Sequence, residues 1–274
     1  MQRVGLIAGN GRFPLIFAET ARAAGYEVVA VAHEGETPPE LSAAVASITW
    51  IKVGELERMV QAFRSHQITQ AVMAGGIRKA TLLTNFAPDE RAMRFLARLT
   101  AFSDDTLLRG VAEELESEGV HIVDSMPFLD SICTTEGVLS ARAPDERQWR
   151  DIRFGFDVAK GVGRFDVGQS VVVQSGMVLA VEAIEGTDAA MQRAGQLGAR
   201  GAVVVKASKP GQDLRFDVPA VGPGTVNVAR AAGIAVIALE AGRTLMLDKV
   251  AFLAQADAAD LVIVGIAVGV APSP

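Results

Sequence analysis

Short runs of aliphatic, often β-branched residues recur along this chain, each closed by glycine or a charged turn and most followed by a stretch of helical spacing. They fall at 3–8, 26–32, 48–53, 70–76 and 120–124, and again at 169–173, 177–183, 201–205, 234–239, 244–247 and 261–268. Strands that are apolar on both faces belong to parallel sheets covered by helices, and strand–helix alternation is the signature of α/β architecture. The helical stretches lie at 13–24, 55–65, 89–99, 104–117, 151–163, 189–197, 222–232 and 248–256. Half of the residues are hydrophobic but only 5% are aromatic. The core must therefore be built from Val, Ile, Leu and Ala.

Two such domains fit in 274 residues. The polar stretch 134–147, with Gly137 and Pro144, reads as their connection. The expected division is a parallel-sheet α/β domain over 1–133, a linker over 134–150 and a second α/β domain over 151–274. A formal charge of −6 argues against nonspecific nucleic-acid binding, which needs a basic face. Cys133 is the only cysteine, and His33, His66 and His121 show no metal-ligand spacing, so neither a disulfide framework nor a zinc site is expected. No basic, apolar leader opens the chain, and the apolar run 261–270 falls short of the roughly 20 residues of a membrane helix. A soluble, cytoplasmic protein is expected.

Chemistry-bearing residues gather where strands end. After the first strand comes Gly9-Asn-Gly-Arg-Phe-Pro14, a glycine turn leading into a helix. It resembles the dinucleotide fingerprint, but Pro14 stands at the third glycine and no acid ends the second strand in the position that grips a ribose. Pro14 suits the first turn of a helix instead. The fourth strand ends in Gly75-Gly76, followed by Arg78 and Lys79. Asn10, Gly11, Arg12, Gly75, Gly76 and Lys79 thus form a candidate anion-binding rim at the carboxyl ends of the strands. In the second half, Glu185-Gly-Thr-Asp188 follows a strand and opens a helix, where Thr187 or Asp188 can cap. Thr225 is a second plausible cap, after Gly222. Most charged of all is Lys206-Ala-Ser-Lys-Pro-Gly-Gln-Asp-Leu-Arg-Phe-Asp-Val-Pro219, in which lysines can meet phosphate oxygens and carboxylates can hold a hard cation.

Several of these stretches resemble one family. Ile7 to Pro14, Asp166-Val-Gly-Gln169, Val181 to Asp188, Lys206 with Lys209-Pro210, and Gln212 to Pro219 followed by Gly222 and Thr225 are similar, in order, to the LpxI family. Asn10 departs from the pattern, where glycine is expected. The resemblance implies a Mg²⁺-dependent hydrolase of lipid A biosynthesis that splits UDP-2,3-diacylglucosamine into lipid X (2,3-diacylglucosamine 1-phosphate) and UMP. It also implies that the first domain is Rossmann-like, that the ligand cleft lies between it and the α/β second domain, and that a catalytic aspartate stands in the second domain, placed at Asp217 with Asp213 the alternative. Lys206, Lys209 and Arg215 would supply positive charge, and Asp213 and Asp217, with Glu185 or Asp188, would hold the metal. Gln169, Thr187, Asp188, Lys206, Lys209, Gln212 and Thr225 complete the expected substrate contacts. A lipid-linked substrate implies peripheral contact with the inner membrane, and a homo-oligomer is compatible with the sequence. The rival readings are a non-catalytic nucleotide- or lipid-binding protein and a nicotinamide-dependent oxidoreductase.

Overall fold

A computed structural model of the chain describes residues 2–78, 86–99 and 104–267. The polypeptide divides into two compact units. The first comprises Met1–Asp130 together with the short segment Asp213–Phe216; the second comprises Ser131–Gln212 and Asp217–Pro274.

In the first unit five strands form one parallel sheet: β1 (Gln2–Ala8), β2 (Tyr26–His33), β3 (Ser47–Ile51), β4 (Gln70–Ala74) and β5 (His121–Ile122), in the order β3-β2-β1-β4-β5. This is the doubly wound order, in which the chain winds outward in both directions from β1. The expected parallel sheet is present. Ligands of such sheets bind where the order reverses, beyond the carboxyl ends of β1 and β4. Helix α1 (Phe13–Ala23) begins with Pro14 in its first turn, as the missing N–H permits. It buries Ile16, Phe17 and Ala18, with Phe17 edge-on to Phe128 at 5.6 Å. Helices α2 (Leu56–Ser65), α3 (Glu90–Leu96) and α4 (Asp104–Glu116) build a separate aliphatic core, in which Val60, Phe63, Phe95 and Leu115 pack with Val29, Val31 and Ala71 of the sheet. Phe216, from the late segment, packs against this same core.

The second unit holds a mixed six-stranded sheet in the order β6-β13-β11-β9-β7-β8. Its strands are β6 (Gly137–Val138), β7 (Ser170–Gln174), β8 (Met177–Val181), β9 (Ala202–Lys206), β11 (Ile234–Glu240) and β13 (Val262–Ile266). Strands β9, β11 and β13 are parallel; the predicted hairpin β7–β8 adds an antiparallel edge, turned by Ser175 and Gly176, both at positive φ. Two residues each of β10 (Ala220–Val221) and β12 (Leu245–Met246) form a small parallel pair apart from it.

One face of the sheet is covered by α5 (Glu146–Gly163), whose Ile152 packs with Val203, Val205, Val236 and Val264. Gly155 permits this approach, since a methyl group there would lie 2.7 Å from Val205. Helices α6 (Thr187–Gln196), α7 (Pro223–Ala231) and α8 (Lys249–Ala258) cover the other face around Met191, Val226, Phe252, Val204 and Ile237. Helix α5 starts earlier than the spacing predicts. Asp145 and Gln148 form a reciprocal capping box that satisfies two end N–H groups, and Asp151 inside the helix is buried, accepting from the N–H groups of Ser175 and Gly176.

Candidate active site

The turn Glu185 to Asp188, which follows β8, and Lys206, which ends β9, line a cavity of about 410 Å³ together with Ala220, Val221 and Thr225. Everything that lines it belongs to the second unit. Helices α6 and α7 begin at its wall, with Gly186 and Gly222 as their caps. The first N–H groups of any helix have no partner within it, so two helix starts offer donors to an anion here.

Lys206 is the last residue of β9 and only 6% exposed. Its ammonium donates to the Thr187 hydroxyl at 2.8 Å. No carboxylate among the described residues stands within ion-pair distance of it. Glu182, Asp217 and Asp188 act on it at longer range, favouring the charged form, but burial outweighs them and lowers its pKa.

Thr187 does not cap α6, as its sequence position suggested. Its hydroxyl donates to Glu182 Oε1 at 3.0 Å and lies 3.1 Å from the Ser170 hydroxyl, so it couples Lys206 to a buried carboxylate. Glu182 was not among the expected site residues, although it lies within the stretch Val181 to Asp188 that carries the family resemblance. Gly168 lets the chain pass close to it, since a Cβ there would sit 2.0 Å from the Glu182 carbonyl oxygen. Next to it, Gln169 has a buried side-chain oxygen with no hydrogen-bond partner among the described residues. Thr225 accepts from the Gly222 N–H at 3.2 Å and so helps cap α7 while lining the cavity. Asp188 is exposed at the rim, and Glu185, also exposed, is paired with Arg193 at 2.7 Å.

The loop after β9 orders its polar groups in a chain. The Lys209 N–H donates to Gln212 Oε1 at 2.8 Å, and Gln212 Nε2 donates to Asp217 Oδ2 at 2.7 Å. The Lys209 ammonium is held by Asp166 at 2.6 Å. Asp213 lies in the first unit, where Arg215 grips both of its oxygens at 3.0 and 2.8 Å and Arg109 approaches at 3.1 Å. The hydrogen bonds from Arg215 lower the Asp213 pKa, and Arg215 and Arg109 both stack on Phe216. Among the described residues no group of three or more His, Cys, Asp or Glu side chains is gathered around a single point.

In the first unit the turns after β1 and β4 do meet. Gly9 N donates to Ala74 O at 2.8 Å and Asn10 N to Gly76 O at 2.7 Å. The turns touch so closely that a Cβ at Gly9 or Gly75 would fall 2.3 Å from a backbone oxygen of the other. Asn10 Nδ2 donates to Glu36 at 3.0 Å, and Arg78 donates to the same carboxylate from its side chain at 3.0 Å and its backbone at 3.2 Å. Glu36 is buried, as is His33, whose pKa is lowered by desolvation although the Ala8 carbonyl and Glu36 favour its cation. Glu36, three residues beyond the end of β2, was not among the expected site residues. Gly11 and Arg12 are exposed beside this turn, and Lys79 lies outside the described residues.

The fold and the cavity define an α/β protein with a doubly wound first unit and a second unit whose cavity is lined by Lys206 and the starts of two helices. The comparisons narrow this class. Residues 3–132 match the LpxI N-terminal domain and residues 135–264 the LpxI C-terminal domain. The Caulobacter vibrioides protein named UDP-2,3-diacylglucosamine pyrophosphatase LpxI is 34% identical over 97% of this chain and 98% of its own. The chain belongs to the LpxI family, and the resemblance noted in its sequence is borne out. Solved structures give only slight likenesses. The biotin carboxylase domain of a thermophilic 2-oxoglutarate carboxylase shares 13% identity over 63% of this chain and 35% of its own (TM-score 0.29). CobK precorrin-6A reductase shares 13% over 100% and 91% (TM-score 0.28). Neither bears on function. Among the described residues no helix is long and apolar enough to cross a membrane.

Proposed function

We propose that this protein hydrolyses the diphosphate bond of UDP-2,3-diacylglucosamine, releasing 2,3-diacylglucosamine 1-phosphate (lipid X) and UMP, as a step of lipid A biosynthesis. Family membership supports the substrate class, since the Caulobacter relative is named for this reaction. The observation that carries the reading is Lys206: a buried ammonium with a hydroxyl partner and no counter-ion within reach among the described residues, facing a cavity where two helices begin. An isolated buried cation is costly, and a phosphate group is the kind of partner that would offset it.

In this reading Lys206, fixed by Thr187 and Glu182, binds a phosphate oxygen and stabilises charge that grows there as the P–O–P bridge breaks. Asp217, exposed and held by Gln212, orients the attacking water and takes its proton as the new P–O bond forms. The bridging oxygen leaves on the other phosphate with the electron pair of the broken bond. Lys209, whose ammonium is held by Asp166, is the other cation of this loop.

Magnesium suits these residues. Mg²⁺ keeps several waters and takes one or two carboxylates plus substrate phosphates, so it needs no closed protein cage. Asp188, at the cavity rim, and Asp217 are the donors this reading favours; Glu185 and Asp213 are already engaged by arginines. Bound there, the cation would neutralise diphosphate charge. The enzyme would work in the cytoplasm and touch the inner membrane peripherally to reach a lipid-linked substrate.

The test is direct. The protein is incubated with UDP-2,3-diacylglucosamine and Mg²⁺, with and without excess chelator, and UMP is quantified. Release that the chelator stops and added Mg²⁺ restores is expected. No UMP under either condition refutes catalysis and leaves a nucleotide- or lipid-binding protein; release indifferent to chelator removes the metal.

A further inference from the structure

Behind the loop that carries Asp217 lies an ionic knot, built by the half-buried Lys160 around the fully buried Glu240, that neither the motifs nor the cavity requires. Lys160, in the last turn of α5, donates to both carboxylate oxygens of Glu240 at 2.7 and 2.8 Å and to the Ser208 carbonyl at 2.8 Å. Glu240 ends β11 with no exposed surface. Its Oε2 also accepts the Ser208 N–H at 2.6 Å and the Ser208 hydroxyl at 2.7 Å. Ser208 is 1% exposed, so both of its backbone groups and its side chain are spent on two residues distant in sequence. One helical turn on, Gly163 leaves room for the loop itself: a Cβ there would sit 3.2 Å from Lys209 Cα and 3.1 Å from Pro210 Cδ.

Stability alone explains this arrangement poorly. Well-packed apolar residues do as well or better than a buried ion pair, whose desolvation cost consumes most of its attraction. What a multiply hydrogen-bonded pair supplies is a fixed position. Every bond of the knot outside the pair itself ends on Ser208, and from its neighbour Lys209 the hydrogen bonds run through Gln212 to Asp217.

We propose that Lys160 and Glu240 are positioning residues for hydrolysis, clamping Ser208 so that the loop presents Lys209, Gln212 and Asp217 in reacting geometry. This rests on the role given to Asp217 above. Neither residue lines the cavity or touches the groups assigned to substrate.

The test compares wild type with the double variant Lys160→Met/Glu240→Gln, which removes the charges together and leaves no lone buried ion. Ser208→Ala is the milder partner should the double variant fail to fold. Melting temperature, kcat and KM for UMP release, and hydrogen–deuterium exchange over residues 207–217 are measured on each. With the melting temperature retained, kcat should fall about tenfold to a hundredfold, the scale on which a misplacement near 1 Å acts. KM should stay within about threefold, since the cavity is untouched, and exchange should quicken over 207–212 while the rest of the second unit is unchanged. For Ser208→Ala the same changes are expected at smaller amplitude. Unchanged kcat in a folded variant overturns the proposal, and so does a loss of kcat without quickened exchange. If wild type itself releases no UMP, the functional reading fails separately, and the exchange measurement alone judges the clamp.

Discussion

Two strand-end turns in this molecule, one in each unit, have nearly the same ingredients and opposite outcomes. Beyond β1 and β4, a glycine turn brings an asparagine and an arginine to Glu36, and the buried carboxylate accepts from both. Beyond β8 and β9, a glycine, a threonine and a lysine surround a cavity, and the lysine meets a hydroxyl rather than a carboxylate. The first arrangement is closed on itself. The second holds a positive charge that the described protein groups do not neutralise. Residue types at a turn therefore say little until each donor has been followed to its acceptor, because a satisfied turn and a receptive one share a composition.

The sharpest way to break this contrast is at the reacting group. Asp217→Ala should lower kcat by about a thousandfold or more, in the range seen when a group acting on the attacking nucleophile is lost. Binding of substrate, followed by calorimetry, should survive; full turnover in the variant would remove Asp217 from the mechanism. Next comes Lys206→Met. Loss of about a hundredfold in kcat/KM is expected from removing one charge-stabilising contact, with a melting temperature equal to or above wild type because an uncompensated buried cation has gone. A stability loss with activity intact would make Lys206 structural, like Glu36.

The first unit should answer differently. Gly75→Ala forces a Cβ onto the Asn10 carbonyl oxygen at a positive φ and should cost about 2–3 kcal/mol in denaturant unfolding. An unaltered midpoint would mean the two turns do not need their close approach. The smallest effect is in pH. Burial lowers the Lys206 pKa, so its ammonium loses the proton at a lower pH than the ordinary 10.5. The cation is the form that meets phosphate, so kcat/KM should decline on the alkaline side starting below that value, and Lys206→Arg should move the decline upward. Stability has the opposite sign: the unfolded chain keeps the proton to higher pH, so the contribution of Lys206 to unfolding free energy rises with pH across the interval between the two values. An alkaline limb identical in wild type and Lys206→Arg would assign it to another group.

Much of the fold could be read in advance because its strands are buried on both sides. Aliphatic runs such as 202–205 and 234–239 have no polar face and announce themselves without alternation. The start of α5 was not read in advance: Asp145 and Gln148 cap it, but the neighbouring Pro144 and polar composition pointed to a connection over 134–150. The two-residue strands β10 and β12 left no periodic trace, being too short for one.

At the site, the residues found in advance are those in motifs: Thr187, Asp188, Lys206 and Thr225 line one cavity. Of those missed, Glu182 meets Thr187 only five residues on, whereas Glu240, Ser208 and Lys160 meet partners far away in sequence. Lys160 and Glu240 are separated by 80 positions, and nothing local marks either as half of a pair. Asp213 and Asp217 teach the same point from the other side. Four residues apart, they read as one acidic motif, yet they belong to different compact units.

That last division has a practical consequence for anyone dissecting the protein. Because Asp213–Phe216 belongs to the first unit, no single scission of the backbone yields two whole pieces. A fragment ending at Asp130 would leave the Arg109 guanidinium without the carboxylate and the aromatic ring it meets here, and a patch of its aliphatic interior bare where Phe216 now sits.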